Sequence, residues 1–189
     1  MARRRSTLAV CALALAASVG LSACESGAEK VRNGAEREGL AFPVGGIQYN
    51  VFITRELNPR ITPDKAYYKG PEPGRGQLLY GIFLQACNKS ERTQHTARQF
   101  TVTDNQGNKF EPIELPRDNA FAYHQVVLKP DQCIPEAGSV AQLGPTAGSM
   151  LLFKFPLPIT ENRPLELEIE SPFDVTRARR ESAKVELDL

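Results

Sequence analysis

Two cysteines and two histidines carry the side chains that zinc prefers as ligands. They are Cys87, Cys133, His95 and His124. Structural zinc sites combine such ligands, usually with two cysteines or two histidines close together in the sequence. No such close pair occurs among these four residues, so the spacing does not favour a metal centre. The alternative chemistry for the two cysteines is a disulfide bond, which requires an oxidising compartment.

The first residues of the chain indicate export. Arg3, Arg4 and Arg5 form a basic segment, and an uncharged run rich in Ala and Leu extends from Leu8 to Leu21. A basic segment, a short apolar segment and small residues before a cleavage site make up a secretory signal peptide. The apolar run is shorter than the ~20 residues that a membrane-spanning helix needs. We therefore predict a signal peptide over residues 1–23.

The apolar run ends in the tetrapeptide Leu21, Ser22, Ala23 and Cys24. This tetrapeptide resembles the lipobox of bacterial lipoproteins, in which Leu, a small or hydroxyl residue and Ala or Gly precede a Cys. The resemblance implies that Cys24 receives a diacylglyceryl group and becomes the first residue of the mature protein. The alternative is an ordinary cleaved signal in which Cys24 is incidental. Because two or more acyl chains anchor a protein stably, lipidation predicts a location on the extracytoplasmic face of the cell membrane.

Export and lipidation together account for the cysteines. Of the 4 cysteines, Cys11 leaves with the signal peptide and Cys24 carries the lipid, so Cys87 and Cys133 remain. Cysteine pairs in exported proteins usually form a bridge. We therefore predict a Cys87–Cys133 disulfide, no metal site and no cofactor.

The charge of the mature chain excludes one class of partner. Removal of residues 1–23 deletes three of the 23 basic residues and none of the 22 acidic residues, which leaves a formal charge of about −2. Nucleic-acid binding depends on clustered Lys and Arg. We therefore expect no nucleic-acid partner.

Two groups of carboxylates could do chemistry but have simpler interpretations. The segment from Asp104 to Asn108 has oxygen ligands around a glycine, yet it lacks the later acid that completes a calcium loop, so a hairpin turn is favoured. Glu166, Glu168 and Glu170 alternate with apolar residues. They are therefore expected on the outer face of a strand rather than as catalytic acids. The sequence contains neither a nucleophile elbow nor a phosphate-binding glycine loop.

A long segment without clear periodicity is the candidate binding region. Asn58 to Gly76 contains several prolines and glycines, and long irregular loops in compact domains are often functional. Tyrosine and arginine are favoured at protein interfaces because they combine a large apolar contact area with polar ends. The candidate contact residues are Tyr67, Tyr68, Arg60, Lys65 and Lys69. The alternative is that one tyrosine packs on the sheet and the other residues are solvated.

Alternation of apolar and polar residues predicts about seven strands. In the first strand Ile47, Tyr49, Val51 and Ile53 share one face, whereas Leu78 to Cys87 is apolar on both faces and indicates a central strand. Further strands are expected over Arg98–Thr103, Tyr123–Leu128, Ser149–Leu157, Leu165–Glu170 and Val185–Leu189, the last after a basic turn at Arg177, Arg179 and Arg180. Short strands separated by turn residues, without a long helix, are typical of an antiparallel β-sandwich.

Four segments carry a resemblance to a known domain. They are "LLYGIFLQACNKS", "FTVTDNQGNKFEP", "LGPTAGSMLLFKFPLP" and "PLELEI". In this order they resemble the immunoglobulin-like domain of unknown function found in many exported bacterial lipoproteins. The similarity extends over residues 47–169, and "GPTAG" replaces the usual Pro-Gly order. The resemblance implies an immunoglobulin-like sandwich with a binding or accessory role, and it supplies no catalytic residues.

Three regions are therefore predicted. They are a lipoprotein signal peptide (1–23), a lipid-anchored flexible tether (24–46) and an immunoglobulin-like β-sandwich (47–189). We expect a binding or accessory module whose ligand, a small solute or an envelope protein, the sequence leaves open. A structural subunit of a cell-envelope complex is the first alternative, and an enzyme is the second. No combination of acid, base and nucleophile supports the enzyme.

Overall fold

Strands dominate the secondary structure. The computed structural model of the protein describes residues 30–31 and 36–188. The strands in these residues are β1 (Lys30–Val31), β2 (Glu36–Arg37), β3 (Ala41–Val44), β4 (Ile47–Glu56), β5 (Gln77–Asn88), β6 (Gln94–His95), β7 (Gln99–Thr103), β8 (Lys109–Phe110), β9 (Val127–Leu128), β10 (Cys133–Ile134), β11 (Ser149–Pro156), β12 (Leu165–Glu170) and β13 (Glu181–Leu187). The helical segments are α1 (Asp64–Tyr67), α2 (Val140–Leu143) and a 3₁₀ turn (Leu157–Thr160). Seven of the strands have four residues or more. Six of them lie where the sequence predicted strands, and β3 does not.

Two sheets contain most of these strands. The front sheet has the order β1, β13, β12, β7, β8, and β2 also pairs with β13. The back sheet has the order β10, β5, β4, β3, and β11 pairs with β5 on the same side as β10. All pairings among the long strands are antiparallel. β6 and β9 form a separate two-stranded ribbon.

The main core lies between the two sheets. In β12 the side chains of Leu165, Leu167 and Ile169 are buried and the glutamates between them are half-buried. These apolar side chains belong to one cluster with Ile82 and Phe153 of the back sheet. Because apolar residues from both sheets meet in this cluster, the predicted antiparallel β-sandwich is confirmed.

A second apolar cluster covers the outer face of the back sheet. Leu79 and Phe83 of β5 point away from the main core and pack with Leu57, Tyr67 and other residues of the crossing loops. β5 is therefore buried on both faces, which its continuous apolar sequence predicted. Gly81 lies between Leu79 and Phe83, and a Cβ atom there would approach the Phe83 ring to 2.8 Å. The glycine thus allows close packing at this point of the sheet.

One predicted face is wrong for the second half of β4. Ile47, Tyr49 and Val51 are buried as expected, but Ile53 is 38% exposed and Thr54 is buried. The pairing of β4 with β5 shifts between Val51 and Ile53. This irregularity adds a residue to β4, so the alternation reverses after it.

Part of the predicted tether, residues 24–46, pairs with strands of the two sheets. Lys30–Val31 and Glu36–Arg37 pair in parallel with β13, and Ala41–Val44 pairs with β4. Phe42 and Val44 are almost completely buried. The prediction missed β1 and β2 because such two-residue pairings use backbone groups and leave little apolar pattern. It also missed the short alternation of Phe42 and Val44 in β3. Residues 1–29, including the predicted signal peptide and Cys24, lie outside the described residues.

Local pairings confirm two predicted features. Cys87 of β5 lies opposite Cys133 of β10, and their sulfur atoms are joined in a disulfide. β7 and β8 form the predicted hairpin, in which Asp104 accepts hydrogen bonds from the N–H groups of Gln106 and Asn108 at 2.9 and 2.8 Å.

Two predicted strands differ in length. Only Val127–Leu128 is a strand within the predicted Tyr123–Leu128 segment. β13 begins at Glu181, before the predicted Val185, and Leu189 is not described. Within residues 30–31 and 36–188, no helix has the length and apolar character needed to cross a membrane.

Candidate binding groove

Both tyrosines of the predicted binding loop are buried. Tyr67 is 1% exposed and Tyr68 is 9% exposed. The Tyr67 ring contacts the rings of Phe83 and Phe121 edge-on, with centroids 5.0 and 4.8 Å away. The Asn119 side chain also donates to the Tyr67 carbonyl oxygen at 2.9 Å. The prediction of a tyrosine contact surface is therefore wrong, because the loop uses these rings to cover the outer face of the back sheet.

The basic residues of this loop remain at the surface. Arg60, Lys65 and Lys69 are exposed, and Arg60 forms an ion pair with Glu72 of the same loop. The start of the loop is fixed by Asp64, whose buried carboxylate binds Arg55 and accepts from the Asn58 N–H at 2.8 Å. None of the three basic residues lines either of the two clefts described next.

Two adjoining clefts follow the edge of the front sheet. The larger has a volume of about 580 Å³ and the smaller a volume of about 450 Å³. Both are lined by Arg98, Gln99, Gln125 and Glu170, so we treat them as one groove. Thr101 and Arg117 belong to the larger part, and Phe173 and Arg180 belong to the smaller part.

The groove exists because the chain leaves the front sheet after a very short strand. β8 pairs with β7 only at Val102 and Thr103. The chain then crosses to the back sheet, where the Ile113 N–H donates to the Leu152 carbonyl oxygen of β11 at 2.6 Å. Pro112 lies in the crossing segment and has no N–H group to continue the ladder. The gap between β7 and this crossing segment is the groove.

The first half of β7 therefore has an unpaired edge. Gln99, Phe100 and Thr101 pair with β12 on one side, and no described strand pairs with them on the other. The Asp104 N–H points to the β8 side, since it donates to the Asn108 carbonyl oxygen at 3.1 Å. Alternate residues of an antiparallel strand direct their hydrogen-bonding groups to the same edge. The backbone N–H and C=O of Phe100 accordingly face the groove.

Aromatic residues form a rigid floor. The Phe100 and Tyr123 rings meet edge-on with centroids 4.9 Å apart. The Tyr123 hydroxyl donates to the Ala97 carbonyl oxygen at 2.7 Å, and the Ala97 N–H donates to the Tyr49 hydroxyl oxygen at 2.6 Å. Burial raises the pKa of Tyr49 to about 12 and raises that of Tyr123 well above its ordinary value. Both hydroxyls therefore stay neutral and structural at physiological pH.

The groove is lined by equal numbers of arginines and glutamates. The basic side chains are Arg98, Arg117 and Arg180, and the acidic ones are Glu111, Glu114 and Glu170. Arg180 contacts Glu170 at 3.6 Å and donates to the Gln99 side-chain oxygen at 2.8 Å. The lining includes no cysteine and no aspartate, and its single serine is Ser171. This composition suits recognition of a polar chain more than covalent chemistry.

The four candidate zinc ligands, which all lie among the described residues, do not come together as a site. Cys87 and Cys133 are bonded to each other, so neither thiolate can bind zinc. Within the described part of the chain, no three His, Cys, Asp or Glu side chains come together in a way that could hold a metal ion. His124 lines the larger cleft, and its Nε2 atom is buried without a hydrogen-bond partner.

Two of the three glutamates of β12 form ion pairs. Glu166 pairs with Lys184 of β13 at 3.1 Å, and Glu170 pairs with Arg180 at 3.6 Å. The carboxylate of Asp104 is occupied in the same way, by N–H donors from the hairpin and from Asn162. These residues behave as the sequence predicted, as sheet and turn residues.

Comparisons with known proteins identify no family. No protein-family model matches the chain, and no curated protein is similar to it in sequence. Among solved structures, the yjhA protein of Bacillus subtilis has 11% identity and a TM-score of 0.48, and covers 81% of this chain and 99% of its own. A β-sandwich protein of Clostridium difficile, described as uncharacterized, has 13% identity and a TM-score of 0.46, and covers 83% of this chain and 98% of its own.

A third solved structure is a candidate lipoprotein of Bacillus subtilis, ycdA. It has 11% identity and a TM-score of 0.46, and the match covers 77% of this chain. This chain spans 38% of the length of that protein. All three TM-scores lie below 0.5, so these distant similarities assign no function.

Proposed function

We propose that the protein is a lipid-anchored extracytoplasmic module that binds an extended polypeptide segment along β7. The observation that carries the proposal is the unpaired edge of Gln99–Thr101, which forms one wall of the groove. A strand edge next to a cleft can accept a further strand, with main-chain hydrogen bonds giving affinity and pockets giving specificity. The partner class is therefore another envelope protein with an exposed extended segment.

The cellular location rests on the sequence and agrees with the disulfide. Residues 1–23 have the organisation of a signal peptide, and Cys24 ends a lipobox-like tetrapeptide. The Cys87–Cys133 bond is the state expected for a protein outside the cytoplasm. Lipidation would keep the groove close to the membrane, where other exported proteins are presented.

Binding accounts for the groove better than catalysis does. Its lining has as many arginines as glutamates, which suits a polar peptide. Its one serine hydroxyl, at Ser171, already donates to the Pro172 carbonyl oxygen and accepts from the Glu181 N–H. We therefore propose that the protein is not an enzyme. The alternative role, a structural subunit of a cell-envelope complex, predicts a different behaviour. Such a subunit would remain bound to one partner protein through purification.

Two matched variants test the binding site. Peptides are selected on the protein from a random displayed library, and their affinities are measured for the wild type, Thr101→Trp and Thr103→Trp. Both threonines are half-buried on the same face of β7, but Thr101 lines the groove and Thr103 does not. Thr101→Trp should weaken binding by about tenfold or more, which corresponds to at least about 1.4 kcal/mol. Equal affinities for the two variants would refute the site.

A further inference from the structure

The loop between β12 and β13 carries the most exposed large apolar side chain among those described. Val175 is 83% exposed, and Phe173 nearby is 50% exposed. The turn is ordered by Asp174, whose side chain accepts from the N–H groups of Thr176 and Arg177 at 2.9 and 3.1 Å. The backbones of Asp174 and Arg179 also bond to each other. The apolar side chains are thus held outward on a braced turn.

The start of the described chain lies beside this loop. β1 pairs in parallel with the first residues of β13, with Lys30 opposite Glu181. Lys30 is six residues after Cys24, and six residues span at most about 20 Å. A lipid on Cys24 would therefore hold this end of the sandwich, and not the opposite end, next to the bilayer.

We propose that the loop from Ser171 to Arg180 is a second membrane contact. Phe173 and Val175 enter the boundary between the headgroups and acyl chains of the bilayer that holds the lipid on Cys24. The inference rests on the proposed lipidation, and it adds an orientation for the sandwich. Two large apolar side chains exposed on one short loop are a surface that apolar material can cover, and a phospholipid bilayer near the anchor provides such material.

The charged residues of the loop indicate whether its membrane contact requires anionic lipid. Arg177 lies 3.5 Å and Arg179 lies 3.0 Å from the Glu181 carboxylate, and Arg180 lies 3.6 Å from that of Glu170. With Asp174, which contacts Arg177 at 3.6 Å, the acids equal the arginines in number. The contact is therefore apolar, and it needs no anionic lipid.

The orientation has a consequence for the groove. Phe173 and Arg180 line the smaller cleft, so this part of the groove opens close to the headgroups. The Asp104–Asn108 hairpin lies at the far end, because Thr103 pairs with Glu166 while Gln99 pairs with Glu170. A partner segment would therefore run along β7 from the membrane side outward.

Tryptophan fluorescence tests the contact, because the chain contains no Trp. Phe173→Trp places the reporter in the loop, and Leu157→Trp is the control. Leu157 is 53% exposed, close to the 50% of Phe173, and it precedes β12 at the end far from the loop. Lipidated protein, verified by mass, is reconstituted into uncharged phosphatidylcholine vesicles with or without bromine on the acyl chains. Val175→Trp is a second loop reporter in case Phe173→Trp folds poorly.

We expect blue-shifted emission and quenching by the brominated lipid for the loop reporters only. Protein that sediments with the vesicles but shows no quenching in the loop would overturn the second contact and leave the anchor intact. Equal quenching of the control and the loop reporters would also overturn it. If the mass shows instead that the exported protein carries no lipid, the lipid-anchored function is contradicted, and the second contact fails with it.

Discussion

The Tyr49 hydroxyl oxygen accepts a hydrogen bond from the Ala97 N–H at 2.6 Å, deep in the sandwich. Tyr67 is equally buried, but its hydroxyl has no hydrogen-bond partner. Tyr49→Phe should lower the free energy of unfolding by about 1–3 kcal/mol, because it leaves a buried N–H group without an acceptor. Tyr67→Phe removes only an unpaired hydroxyl and should be neutral or stabilising.

Urea unfolding of the two variants beside the wild type measures this difference. The two substitutions remove the same atom from the same residue type, so each controls for the other. An equal loss of stability in both variants would contradict the assigned hydrogen bonding.

The Cys87–Cys133 bond should contribute much of the stability. The two residues are 46 positions apart, and closing a loop of this length corresponds to about 4 kcal/mol in the chain-entropy model. The double variant Cys87→Ser with Cys133→Ser should lose stability of this order in urea unfolding. Reductant should destabilise the wild type and leave the variant unchanged. A wild type whose unfolding is insensitive to reductant would count against the bond.

Asp104 should make the stability depend on pH. Burial raises the pKa of this carboxyl, but hydrogen bonds from Asn108, Asn162 and Gln106 outweigh burial and hold the pKa below its ordinary value of 3.8. A lowered pKa in the folded state means that the carboxylate stabilises the fold above pH 3.8 and loses this effect as the pH falls through the folded pKa. Asp104→Asn should therefore be destabilising at pH 7 and nearly neutral at the lowest pH at which the protein remains folded.

Unfolding of Asp104→Asn at several pH values checks this prediction. Asp118→Asn, at an exposed position, is the control and should show little change at any pH. The prediction is contradicted if the free energies of unfolding of Asp104→Asn and the wild type differ by the same amount in acid as at pH 7.

The free edge of β7 predicts a pattern of amide exchange in the protein without any ligand. The Phe100 N–H faces the groove, whereas Val102 lies opposite Phe110 of β8. The Phe100 amide should therefore exchange with solvent faster than the amides of Thr101 and Val102, as measured by NMR. Equal exchange rates for the three amides would mean that the Phe100 N–H is hydrogen-bonded and that this edge of β7 is not free.

Residues with a local signal were predicted correctly from the sequence. Leu165, Leu167 and Ile169 alternate with glutamates, and this alternation predicted both the strand and the face of it that is buried. The pairing of Cys87 with Cys133 followed from the small number of cysteines and the export signal. The Asp104 turn followed from its residue types. In each case the sequence within a few residues, or a simple count, contains the information.

The errors concern contacts between distant segments. Burial of Tyr67 depends on Phe121, which is far away in the sequence, and the reversal at Ile53 depends on how β4 aligns with β5. The β1 and β2 pairings use backbone groups and leave little pattern. The groove was missed because Arg98, Gln125 and Glu170 come together only when both sheets form. Pro112, just after the short strand β8, was the one local signal that could have suggested an open edge.

Intact mass of the protein extracted from membranes tests the central claim most directly. The sample is measured with and without reductant, and with iodoacetamide to label free thiols. We predict a chain that begins at Cys24, carries the mass of acyl chains, and has no alkylated thiol until it is reduced, when Cys87 and Cys133 are both labelled. A full-length or unlipidated chain, or one with two labelled thiols before reduction, would contradict a lipid-anchored extracytoplasmic protein.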